Sequence, residues 1–75
     1  MSMRYTVVLQ PDPEEGGYVV TVPALPGVVT QGETVEECRV NVTEAIEVYL
    51  ESLRREGLPL PTERVPPELL QVEVA

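Results

Sequence analysis

Apolar and polar positions first alternate with a period of two along the chain, and then recur every three to four residues. In residues 4–10, "RYTVVLQ", Tyr5, Val7 and Leu9 fall on one side and Arg4, Thr6, Val8 and Gln10 on the other, the pattern of a strand. "PDPEEGG" follows, with the prolines, aspartate and glycines of a hairpin connection longer than the tight two-residue kind. "YVVTV" then sets Tyr18, Val20 and Val22 against Val19 and Thr21, a second strand antiparallel to the first. In "PALPG", Pro23 and Pro26 lack an N–H and end the ladder, while Gly27 can supply a positive φ for the turn. "VVTQ" is short and β-branched, which suits a third strand at an edge.

After Thr34 the period changes. Val35, Cys38, Val42, Ala45, Ile46, Tyr49 and Leu53 trace one stripe, with Glu37, Glu44, Glu47, Glu51 and Arg54 opposite, so the spacing predicts an amphipathic helix lying on the sheet. Thr34 as N-cap puts Glu37 at the third helical position, a capping-box arrangement, and Glu36 and Glu37 suit the positive end of the helix dipole. Arg54 and Arg55 suit the other end, and Gly57 is placed to close it. "LPLPTERVPP" is too rich in proline to be helical and reads as an extended crossing. In "ELLQVEVA", Leu70, Val72 and Val74 alternate with Leu69, Gln71 and Glu73, a candidate fourth strand. The expected fold is therefore α+β, β-β-β-α-β, a small four-stranded sheet in the order 3-2-1-4 with one helix on one face. The other face keeps exposed valines whichever way the helix lies, which leaves apolar surface for a second subunit.

Length sharpens that last point. A chain of 75 residues forms one domain, expected here to span 1–75 without a separate C-terminal DNA-binding domain. Such a domain buries only about 60% of the surface its unfolded chain exposes. Small domains usually gain stability from disulfides, a metal or oligomerisation. One cysteine and no histidine leave oligomerisation as the expected route. No apolar run approaches the length of a membrane span, and the start lacks a signal-peptide core, so a cytoplasmic protein is expected.

Five arginines and no lysine against thirteen carboxylates give a net charge of -8. Phosphate backbones repel such a chain, and a basic protein attracts it. Chemistry is scarce. A general base near neutral pH would have to be a carboxylate or the one thiol. Cys38 lies on the apolar stripe and reads as a buried structural residue. Asp12, Glu14 and Glu15 share a turn, where they form a solvated connection or, in an enzyme reading, a divalent-metal site. Ser2, Ser52 and the threonines lack a base and read as strand, cap or surface residues. "GETVEE" has no phosphate-loop spacing, and Tyr5, Tyr18 and Tyr49 read as core or interface residues rather than a stacking platform. No catalytic residue, cofactor or metal ligand is assigned.

Residues 5–53 closely resemble the HicB-like antitoxin domain. The motifs are "PALPG" at residues 23–27, "TQGETVEE" at residues 30–37 and "AIEVYL" at residues 45–50, in that order. The resemblance implies a partial, degenerate ribonuclease H fold. It further implies a non-catalytic antitoxin-like module that captures and inhibits a small basic mRNA-cleaving toxin, HicA-like, whose charge complements the acidity of this chain. The first strand offers only Tyr5, Thr6, Val7, Val8 and Leu9, so it lacks the carboxylates that two-metal ribonuclease chemistry requires there. Cys38 stands where the family often has alanine, a conservative change at a buried position. The alternative is an orphan, stand-alone oligomeric regulatory or scaffold domain with no toxin. The expected partner surface is the third strand, Val28, Val29, Thr30 and Gln31, an edge open to strand pairing.

Overall fold

The computed structural model describes residues 3–75; Ser2 lies outside the described residues. Three strands, β1 (Val8–Pro11), β2 (Tyr18–Thr21) and β3 (Val29–Gly32), precede one helix, α1 (Val35–Arg55). The strands form an antiparallel sheet in the order β1-β2-β3. Leu9 stands opposite Val20, and Val20 opposite Thr30. Residues directly opposite share a face, and α1 takes the face that carries Tyr5, Val7, Leu9, Tyr18, Val20 and Val22. The other face presents Val19 and Val29, which stay exposed.

β1 begins later than the alternation suggests. Val8 pairs with Thr21, and two positions further on the partner would be Pro23, which has no N–H to donate. β3 is displaced by one residue for a different reason: Val28 is buried in the core and its N–H donates to the carbonyl of Leu25, so it belongs to the turn. The hairpin between β1 and β2 is built on Asp12, whose carboxylate accepts from the N–H groups of Glu14 and Glu15 at 3.0 and 3.2 Å. Gly16 and Gly17 carry the positive φ values that complete it.

The turn "PALPG" contributes more than a reversal. Leu25 is fully buried with Val20, Val22, Val28, Cys38 and Val42, and so pins the β2–β3 connection beneath the helix. Gly27 does not use a positive φ, contrary to expectation. Its role is space: a Cβ there would stand 3.3 Å from the ring of Tyr49.

The helix ends are specified as expected, with one change of partner. Thr34 Oγ1 accepts from the N–H of Glu37 at 3.1 Å, while the Glu37 carboxylate accepts from the N–H of Glu33 rather than that of Thr34. At the other end Gly57, at φ +70°, donates to Arg54 and Leu58 donates to Leu53, the paired bonds of a Schellman motif. Val35, the first helical residue, stays exposed instead of joining the buried stripe.

The fourth strand is not formed, and the expected 3-2-1-4 order reduces to three strands. After α1 the chain crosses the outer side of the segment leading into β1, where Tyr5 Oη donates to the carbonyl of Pro61 and the Glu63 carboxylate accepts from both the N–H and the hydroxyl of Thr6. Pro66 and Pro67 come next and cannot donate to a ladder. Residues 69–74 run on without a strand partner, and Leu69, Leu70, Val72 and Val74 are exposed. A radius of gyration of 14.2 Å records the projecting tail, since a compact chain of this length would measure about 11 Å.

Candidate functional site

β3 lies at the edge of the sheet, with β2 on one side and, among the described residues, no strand on the other. Of the four residues expected to form the partner surface, the structure brings three to that edge. Val29 is 63% exposed, Gln31 is exposed and Thr30 is half-buried. Val28 is 4% exposed, so its side chain belongs to the core.

Beside the edge, α1 and β3 enclose a shallow groove of about 610 Å³. Val29, Ala45, Val48 and Tyr49 give it an apolar lining, with Asn41 and Glu44 as polar groups. The approach of helix to strand is set at one contact. A Cβ on Gly32 would stand 2.7 Å from Cys38 Sγ and 2.8 Å from the Cys38 backbone nitrogen, so only glycine lets α1 lie this close to β3. Cys38 itself is fully buried, as expected of a structural residue.

Asn41 Nδ2 donates to the carbonyl of Gln31 at 2.8 Å and thereby ties the helix to the edge strand. The sequence reading missed Asn41, and it missed Val48, which is 71% exposed next to the groove. A signal for Val48 was present: it is a β-branched residue inside a helix and off the buried stripe, where neither propensity nor packing favours it.

The groove carries no arrangement for covalent or acid–base chemistry. Its carboxylate is that of Glu44, which is exposed, and its hydroxyls, on Thr30, Tyr49 and Ser52, have no histidine in the chain to act as base. Among the described residues no three histidine, cysteine or acidic side chains come together as a metal-holding group. Asp12, Glu14 and Glu15 sit on the hairpin turn, where the Asp12 carboxylate is engaged by backbone N–H groups. What the edge and groove offer is backbone to pair, apolar side chains to cover, and the carboxylate of Glu44 beside them. No helix among the described residues is long and apolar enough to cross a membrane.

Comparison with known proteins bears on this arrangement. Residues 5–72 match the family model described as the HicB-like antitoxin of bacterial toxin-antitoxin systems. A UPF0150 protein of Thermoplasma acidophilum is 51% identical over 59 residues, covering 79% of this chain and 84% of its own length. A UPF0150 protein of Synechocystis is 49% identical over 60 residues, covering 80% and 75%. Antitoxin HicB of Escherichia coli is 42% identical over 64 residues, which are 80% of this chain and 44% of that protein. The match spans the sheet, the helix, the crossing and most of the tail, and with these relatives it shows that the chain belongs to the HicB-like antitoxin family.

Proposed function

We propose that the protein is a non-catalytic antitoxin module that captures a small basic mRNA-cleaving toxin of the HicA-like kind, using the β3 edge and the groove beside it. Membership of the HicB-like antitoxin family carries the reading. Two physical features support it. The net charge of -8 favours encounter with a basic partner and disfavours direct contact with nucleic acid. The edge of β3 supplies strand backbone and Val29, the two elements that strand addition uses for affinity and specificity. In this reading the three strands and helix represent part of a degenerate ribonuclease H-like fold, the module acts in the cytoplasm, and it associates with copies of itself.

The test is a calorimetric titration of a purified HicA-like ribonuclease into the full chain. One toxin site per chain is expected, and Val29→Arg combined with Glu44→Arg should weaken it at least tenfold while leaving the thermal melt in place. Absence of heat and of a complex by gel filtration would refute the reading.

A second reading keeps one observation on its side. The relatives from Thermoplasma and Synechocystis, which match over most of their own length, bear names that state no toxin. A stand-alone oligomeric regulatory domain would self-associate and leave every such ribonuclease fully active.

A further inference from the structure

We infer that residues 69–74 of one copy form the fourth strand of another copy, adding to the outer edge of the sheet beside β1 and covering the groove between α1 and the residues 3–7 that lead into β1. This rests on the self-association in the reading above and is independent of any toxin.

The groove, about 800 Å³, lies between α1 and the residues that lead into β1, on the side where a fourth strand would pack. Its floor is Tyr5, Val7, Val42, Ile46 and Leu50. Among the described residues no strand of the same chain covers it. The segment with the matching pattern is the tail, whose Leu70, Val72 and Val74 fall on one side of an extended strand and are all exposed.

The tail cannot reach this slot in its own copy. Tyr5 holds Pro61 on the helix side of β1, and Thr6, which alternates to the opposite side, holds Glu63. The chain has thus crossed the edge by residue 63. Continuing beside β1 from the Thr6–Glu63 contact, residues 65–68 would lie against Val8–Pro11, with Pro66 and Pro67 unable to donate. Leu69 would already be past the end of the strand.

Charge argues for this occupant. Arg4, Arg39 and Arg54 line the groove against Glu47 and Glu51, three cations to two carboxylates in a chain of net charge -8, while residues 68–74 carry Glu68 and Glu73 and no cation. Exchange of an identical element between copies needs no new surface chemistry, and a two-fold arrangement fills both slots at once.

Sedimentation equilibrium on the full chain tests it. The parent is expected at twice the chain mass, Leu70→Asp with Val72→Asp at the chain mass with the circular dichroism of the core kept, and Arg39→Glu with Arg54→Glu dissociating at least tenfold more readily. In a mixture of 13C-labelled and unlabelled copies, isotope-filtered spectra should show Val72 methyl contacts to Val42 and Ile46 across copies. A monomeric parent would overturn both the self-association and this inference. A dimer that survives the tail substitutions, or Val72 contacts found only within one copy, would overturn this inference alone.

Discussion

β2 and the tail are written in the same alternation and meet opposite fates. In "YVVTV" the residues Val20 and Val22 are 0% and 1% exposed, whereas in "LLQVEV" Leu70 and Val72 are 85% and 72% exposed. Composition does not separate Val20 and Val22 from Leu70 and Val72, which are all aliphatic. Neighbours do. β2 has β1 and β3 on its two sides and α1 across its face, so each apolar side chain loses its water to another apolar side chain. The tail has been carried past the vacant edge of β1 by a crossing fixed at Tyr5 and Thr6 and followed by two prolines. An alternating pattern therefore specifies a capacity to pair, and the connector decides which edge can satisfy it.

The largest expected effect comes from making one substitution in both regions. Val20→Asp places an unpaired carboxylate where no atom is exposed, which is several kcal/mol against a domain whose whole stability is about 4–11 kcal/mol, so circular dichroism should show an unfolded chain. Val72→Asp, measured at a dilution that suppresses association, should leave the melt within about 0.5 kcal/mol of the parent. If both unfold the chain, the tail is packed in the single copy and the contrast fails.

Leu25→Ala comes next, at about 2–5 kcal/mol in chemical denaturation, because it opens a cavity under the helix from within a turn. Gly32→Ala should cost about 1–3 kcal/mol, since its methyl group meets the backbone of Cys38 and α1 must move away from β3. That displacement would also reshape the groove beside β3, so toxin capture should fall with stability. Thr34→Ala is smallest, about 1 kcal/mol for the lost N-cap bond, and should leave both sheet edges unchanged.

Much of the core was legible because its signals are local. The N-cap Thr34, the closing Gly57, the hairpin turn and the buried stripe of α1 depend on spacings within a few residues, and each formed at or near its expected position. Gly27 was identifiable as special but not for the right reason, and Gly32 was not singled out, because close approach to Tyr49 and Cys38 is a property of packing and leaves no trace in local spacing. Leu25 was hidden by its flanking prolines, which mark a turn and suggest exposure. At the site, the edge position of β3 followed from its brevity and flanking turns, while the Asn41 bond to Gln31 joins residues ten positions apart in different elements and could not be read from either one. The fourth strand failed for the same reason: its pattern is sound, and the geometry of the crossing that misplaces it is set by contacts 56 and 57 residues apart in sequence.

The most direct test of the antitoxin reading is an RNA-cleavage assay in which a HicA-like ribonuclease is titrated with the full chain. Cleavage should fall to background at one chain per toxin, and Val29→Arg with Glu44→Arg should restore it while the melt of the antitoxin stays unchanged. Undiminished cleavage in the presence of a molar excess of the parent chain would contradict the account.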